Sequence, residues 1–338
     1  MSNNSLAELP TKTNCFLDRT TVIYGATASG KTFVIKDIVN GLKNHIEQGI
    51  VVCPTENQHG TYTGGSTPMF SSALVHKDIS GNLLGNIMVR QELMVAKYNK
   101  INNLANLSRV YSKYPSAKVD AAINELFSKM NQEVRAKKST LSDDAYFIYN
   151  EECVKKLDGI KSKLYGQHIN KNKPKFSTAD AEDALIVNNI MFNPRILIIM
   201  DDVTEIMKES RNNIEISKLV TTGRHFFITF IFSLHTHAVV SPHIRSNAHI
   251  SIFTDKKVAN GYVDGNKQHM GKEDKKLMEN YIFNVITGND KDLPEEHRNR
   301  KLVFNALEGK YYAYRARILR PFQFVSPLIG AYMASVKK

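Results

Sequence analysis

Cysteine is scarce in this chain and poorly placed for any shared task. The three present, Cys15, Cys53 and Cys153, are odd in number, far apart and form no CxxC pair. That excludes a zinc site or a redox pair built on them and predicts reduced, buried thiols. Long hydrophobic runs are also missing. No N-terminal apolar stretch has the form of a signal peptide, and "FFITFIFSL" at 226–234 is far too short to span a bilayer. The expectation is a soluble, intracellular protein. Acidic residues are in deficit, 33 Asp and Glu against 45 Lys and Arg, which leaves a formal charge of +12. This balance favours a polyanionic partner such as nucleic acid over a neutral small molecule. No internal repeat or low-complexity tract interrupts the 338 residues. Their 42% apolar and 23% charged content excludes a mostly disordered chain and allows one large domain with an insertion.

What is present begins with "TTVIYG", a β-branched strand that stops at Gly25. In "KTFVIKDIVNGLKNH", Phe33, Val34, Ile38, Val39 and Leu42 recur at helical spacing, and "GIVVCP" at 49–54 gives a second strand. Strand, glycine turn, helix and strand make a βαβ unit and so a parallel sheet. A Gly- and Thr-rich loop, "TENQHGTYTGGSTP", follows. Residues 90–182 turn Lys-rich and helical in period, closing with a linker by composition, "GQHINKNKPKFST" at 166–178. The core resumes with "PRILIIMDD" at 194–202, a strand buried on both faces, then "FFITFIFSL" and "AHISIFT". Near the end, "KLVFNALEGKYYAYRARI" predicts a hairpin turning at Glu308 and Gly309. The expected organisation is therefore an α/β core in two parts, 1–89 and 183–338, around a helical insertion at 90–182.

Residues 25–32, "GATASGKT", match G-x-x-x-x-G-K-[ST] in full, between a strand and a helix. The chemistry of such a loop is that Gly25, Ala26, Thr27, Ala28, Ser29 and Gly30 wrap a phosphate with backbone N–H groups. Lys31 reaches the outer phosphates of ATP and Thr32 coordinates Mg²⁺. A carboxylate at the tip of a neighbouring strand completes the metal side, which assigns Asp201 to the metal. Asp202 then activates the attacking water, with Glu205 the competing base. Adjacent acids capping the next helix are the bland alternative. His235, at the end of the next buried strand, is a candidate γ-phosphate sensor or else a hydrogen-bonded loop histidine. His235, His237, His243 and His249 are too irregularly spaced to favour a metal site. Arg224 and Arg245 are candidates for charge stabilisation, either at a neighbour's nucleotide or on DNA, with an ordinary surface arginine the alternative for each.

Together, and in this order and spacing, "GATASGKT", "ILIIMDD", "GRHFFITFIFSLHT" and "IRSNAHISIF" resemble the genome-packaging ATPases of large double-stranded DNA viruses. The resemblance is to the poxvirus packaging ATPase type, of the FtsK–HerA superfamily. The resemblance covers roughly residues 18–75 and 185–255. It implies a P-loop NTPase of the additional-strand class with a mainly parallel central sheet flanked by helices. It also implies an Mg²⁺-dependent ATPase that works as a ring of five or six copies and drives double-stranded DNA into a preformed capsid. A capsid portal or vertex protein is the implied partner. The implied location is the assembly site in the infected cell's cytoplasm, or the virion. The family's sensor is commonly glutamine, and His235 stands in its place. Arg245 falls on the arginine of the I-R-x-N pattern, where a finger acting across subunits is implied. Lys129, Arg135, Lys137 and Lys138 of the insertion can line DNA or dock to the portal, against the plainer reading of a solvated helix face. Three other functions remain open: a cellular-type translocase or helicase, a small-molecule kinase, and a nucleotide-gated assembly or capsid-docking protein with little turnover.

Overall fold

The computed structural model describes residues 6–10, 15–176, 180–210, 213–265, 276, 278–282, 286 and 300–326. In chain order, β1 (Thr20–Tyr24) leads through the glycine loop into α1 (Lys31–Leu42), then β2 (Gln48–Val52) and the single turn α2 (Glu56–His59). The short β3 (Val75–His76) precedes α3 (Leu83–Asn102), α4 (Leu104–Tyr111), α5 (Ala117–Lys137), α6 (Asp143–Lys171) and α7 (Ala181–Asn189). Next come β4 (Ile196–Met200), α8 (Thr204–Glu209), α9 (Ile214–Thr222), β5 (Ile228–Leu234), α10 (Pro242–Asn247), β6 (Ile250–Phe253) and α11 (Lys256–Gly265). A hairpin of β7 (Arg300–Asn305) and β8 (Lys310–Arg315) follows, its turn closed by Gly309 at φ 64°. Among the described residues no helix is long and apolar enough to cross a membrane.

The chain forms two compact units, Met1–Glu92 with Pro194–Lys338, and Leu93–Asn193. The first is built on an eight-stranded sheet in the order β3-β2-β4-β5-β1-β6-β7-β8. Strands β3 through β6 in that order run parallel, while β7 is antiparallel to β6 and to β8. One strand, β5, therefore separates the strand before the glycine loop from β4, the strand before Asp201. That is the arrangement of an additional-strand P-loop NTPase. Alternation along each strand feeds two cores. Val22 and Tyr24 of β1, with Ile198, Phe230 and Phe232, face one side. Ile23, with Ile199, Ile231 and Val303, packs on the other against Val34, Ile35, Ile38 and Val39 of α1. Burial on both faces is why these strands read as unbroken apolar runs.

The second unit packs Ile101, Leu107 and Val110 against Ile169, Phe176, Ile186, Val187 and Ile190. The buried Asp183 carboxylate pairs there with Arg109 and Lys113. Residues 166–178 are not the linker their composition predicts. Helix α6 runs on to Lys171 and a 3-10 turn covers Lys173–Phe176, because Ile169 and Phe176 bury themselves in this core; residues 177 and 178 lie outside the described residues.

One buried charge ties α1 to the C-terminal hairpin. Asp37, 3% exposed, accepts from Tyr314 Oη (2.5 Å), from the Arg317 backbone N–H (3.2 Å) and from Arg317 Nε (2.8 Å). Desolvation and the Asp37 charge push the Tyr314 phenol well above its usual range, so Tyr314 stays a neutral donor. Asp37→Ala strands that buried hydroxyl and is expected to cost about 1–3 kcal/mol, read as a lower urea midpoint with an unchanged slope. Arg317→Ala removes the guanidinium that pairs with this buried carboxylate and is expected to cost about 1–3 kcal/mol.

Candidate functional site

The parallel strands end at one edge of the sheet, and the chemistry gathers there. Leaving β1, the chain must turn sharply over Thr254 at the end of β6. A Cβ on Gly25 would sit 2.0 Å from Thr254 Oγ1, so only glycine fits this close approach. Positive φ at Ala28 (61°) and Gly30 (90°) curls the loop in the manner that turns successive N–H groups toward an anion. Gly30 is the N-cap of α1, whose dipole adds positive potential at the same point. The loop is fixed from outside. Thr254 Oγ1 donates to Tyr24 O (3.1 Å) and lies 2.6 Å from Ser29 Oγ.

Lys31 is 7% exposed, and its Nζ donates to Gly25 O (2.9 Å) and Ala26 O (3.0 Å). Burial lowers its pKa, opposed by the carboxylates of Asp202, Asp201 and Asp255. Next in sequence, Thr32 Oγ1 donates to Asp201 Oδ2 at 2.8 Å. Asp201 is almost fully buried and takes two more hydroxyls, Tyr62 Oη on Oδ2 (2.8 Å) and Ser233 Oγ on Oδ1 (2.5 Å). A Thr hydroxyl touching a carboxylate so held is an oxygen donor set suited to a hard divalent cation such as Mg²⁺.

Asp202 departs from its neighbour's geometry. Its φ is 56°, a left-handed conformation that Asp tolerates better than most residues, and its N–H donates to Ser233 Oγ (2.9 Å). The carboxylate thereby meets His235, Nε2 to Oδ1 at 2.9 Å, while His235 Nδ1 lies 3.4 Å from Lys31 Nζ. The Nε2–Oδ1 approach is an ion-pair contact by distance, and among the described residues Asp202 Oδ1 has no hydrogen-bond partner. His235 is anchored in turn by its backbone N–H on Thr204 Oγ1 (3.0 Å). Lys31, Thr32, Asp201, Asp202 and His235 are thus brought together.

The remaining candidates are not. Glu205, in the first turn of α8, is 75% exposed and pairs with Lys208 at 2.7 Å. Arg224 follows α9, at the start of β5. The parallel sheet puts that position at the edge opposite the glycine loop, where Arg224 and Arg19 join burial in lowering the pKa of His249. That placement keeps Arg224 away from the glycine loop of its own chain, and its candidate role is charge stabilisation at a neighbouring copy's nucleotide or on DNA. Arg245, on α10, donates to His237 O (3.4 Å) and lines a cavity of about 330 Å³ with His237 and Tyr262; among the described residues no hydrogen bond joins it to the glycine loop.

Two residues at this edge carried no signal that singled them out. Tyr62 comes from the Gly- and Thr-rich loop after β2. Lys301 comes from β7, is 1% exposed, and donates to Ser29 O (3.1 Å). Burial lowers its pKa to about 8, against the opposing charge of Asp255. A glycine-rich loop following a βαβ strand is a hint for Tyr62. For Lys301 there is none, since a lysine opening an edge hairpin reads as solvated.

No family model matches the sequence. A protein of African swine fever virus called uncharacterized, B354L (isolate Tick/Malawi/Lil 20-1/1983), is 28% identical over 338 residues, spanning 96% of this chain and 88% of its own. Among solved structures, the DNA-packaging ATPase B204 of Sulfolobus turreted icosahedral virus aligns over 90% of this chain and 100% of its own. It does so at 12% identity and a TM-score of 0.40. The plasmid coupling protein TrwB, solved with a non-hydrolysable GTP analogue, aligns over 95% and 91% at 9% identity and a TM-score of 0.40. The chain thus has a viral relative along nearly its whole length, and its P-loop NTPase fold is written in its own strand order and glycine loop.

Proposed function

We propose that this chain is an Mg²⁺-dependent ATPase that translocates double-stranded DNA during packaging of a viral genome, working as a homo-oligomeric ring. The observation that carries the nucleotide half is the contact between Thr32 and Asp201 at 2.8 Å, which joins the glycine loop to the carboxylate of β4 across the intervening β5. The viral relative and the net charge of +12 support the second half. A motor that moves any sequence gains from gripping phosphates and little from base edges.

In this reading Lys31 leaves the carbonyls of Gly25 and Ala26 and neutralises charge on the outer phosphates. Thr32 and Asp201 would hold Mg²⁺, which would supply charge neutralisation at the phosphates. Asp202, fixed by His235, takes the proton of the water whose oxygen attacks the γ-phosphorus. The bridging oxygen leaves with ADP. His235 touches both Lys31 and Asp202 and so senses whether the γ-phosphate has drawn Lys31 away. Arg245 is assigned to a neighbouring copy's site, with a capsid portal or vertex protein as the further partner and the infected cell's cytoplasm as the setting.

The test is displacement of a third strand from a duplex. Long DNA carrying a triplex-forming oligonucleotide is expected to lose it in the presence of the protein with Mg²⁺-ATP, and to keep it with a non-hydrolysable analogue or with Lys31→Ala. ATP turnover on DNA with the third strand left in place contradicts translocation and favours a nucleotide-gated assembly protein.

A further inference from the structure

The loop between β2 and β3 has two working faces. On its inner side Glu56, 6% exposed, accepts the backbone N–H groups of Tyr62 (3.0 Å) and Thr63 (2.7 Å) and the Thr63 hydroxyl (2.7 Å). This clamp fixes the backbone from which the fully buried Tyr62 reaches Asp201 Oδ2. Desolvation, and then the Asp201 charge, push the Tyr62 phenol well above its usual range, so it remains a donor.

On its outer side the same loop is one wall of an open cleft of about 520 Å³, with Lys36 of α1 and the segment 319–322 completing it. Among the described residues its lining carries Lys36, His59 and Arg320, with Met69, Pro321 and Phe322 as its apolar part, and no carboxylate. The loop wall is bare where a ligand would approach. At Gly65, φ 80°, nothing lies within 4 Å of the Cβ position, whereas Gly64 is turned into the loop, its Cβ position 2.4 Å from Gly60 O. Cations, hydroxyls and exposed backbone without a negative group are the surroundings that phosphate oxygens require.

We propose that this cleft takes the phosphodiester backbone of double-stranded DNA, and that Tyr62 is a positioning residue linking its occupancy to Asp201. The proposal rests on the reading of the chain as a DNA-translocating ATPase and names where that DNA is held. A duplex phosphate drawn between Lys36 and Arg320 presses on residues 60–65. The Glu56 clamp passes that displacement to Tyr62 and so to the carboxylate on the metal side. Nucleotide turnover then depends on DNA being engaged, without any base being read.

The experiment measures affinity for a fluorescent 30-base-pair duplex between about 50 and 200 mM salt, alongside affinity for a fluorescent non-hydrolysable ATP analogue. For Lys36→Ala with Arg320→Ala, duplex binding is expected to weaken and the salt slope to fall by about 2, one for each lost phosphate contact. Lys36→Arg with Arg320→Lys is expected to restore both, which separates loss of charge from loss of fold. Tyr62→Phe is expected to keep the duplex affinity and lose the stimulation of ATP turnover by DNA, with a weakened Mg²⁺ dependence of analogue binding. Native affinity and slope in the alanine pair overturn the cleft while leaving the ATPase reading intact. Full DNA stimulation in Tyr62→Phe overturns the link. A native protein that turns over ATP and binds no duplex overturns the DNA reading itself, and the cleft with it.

Discussion

Asp201→Asn is expected to lower ATP turnover by on the order of 10²–10³-fold, the scale of losing a preorganised electrostatic group. It is also expected to remove most of the Mg²⁺ dependence of nucleotide binding. The reason lies in how completely the carboxylate is used. Thr32, Tyr62 and Ser233 all donate to it, and a carboxylate can accept on both oxygens where an amide accepts on one. In Asn, either Ser233 on one side or the Thr32 and Tyr62 pair on the other faces an NH₂ donor. The cost to folding is expected at about 1–3 kcal/mol. Titrating analogue binding with Mg²⁺ isolates the electrostatic part, because a merely destabilised protein keeps its metal dependence below its unfolding transition. Native metal dependence in Asp201→Asn removes Asp201 from the metal side.

The second large effect separates the two acids that compete for the base. Asp202→Asn is expected to lower kcat by about 10²–10⁴-fold with the affinity for an ATP analogue kept within a few-fold. Glu205→Gln is expected to stay near the native rate, because its side chain is exposed and turned to Lys208. The left-handed backbone of Asp202 at φ 56° is central to this difference. It bends the chain at the end of β4 so that adjacent carboxylates serve different partners, Asp201 the Thr32 hydroxyl and Asp202 the imidazole of His235. Backbone strain at a site of this kind persists only where its surroundings hold it, and here the Ser233 hydroxyl bonds both the Asp202 N–H and the Asp201 carboxylate. Single-turnover rates with measured analogue affinities decide the matter. A large fall in Glu205→Gln with Asp202→Asn near native reverses the assignment.

The glycine loop, its strand and its helix were legible because they are contiguous. Gly25, Lys31 and Thr32 lie within one turn of chain whose spacing is fixed by the phosphate it wraps. The buried strands were legible for a similar local reason, since burial on both faces leaves an unbroken apolar run such as Ile196–Met200. Pairings across long separations were not. Tyr62 meets Asp201 over 139 residues and Lys301 meets Ser29 over 272, and neither residue type announces itself when it is set beside the sheet by packing alone. The segment 166–178 misled for the opposite reason. Its Asn, Lys and Pro content describes the solvent side, while Ile169 and Phe176 give it a buried one. Arg224 stands near the apolar run of β5 in sequence, yet the strand itself carries the chain from one edge of the sheet to the other before His235 is reached.

The central claim is that the edge formed by Lys31, Asp201, Asp202 and His235 hydrolyses ATP in response to DNA. Steady-state phosphate release with Mg²⁺-ATP, with and without long double-stranded DNA, tests it most directly in the native protein and in Lys31→Ala. Turnover that rises with DNA in the native protein and vanishes in Lys31→Ala is the expected result. Turnover that survives in Lys31→Ala, or that is indifferent to DNA across the salt range in which the protein binds duplex, contradicts it.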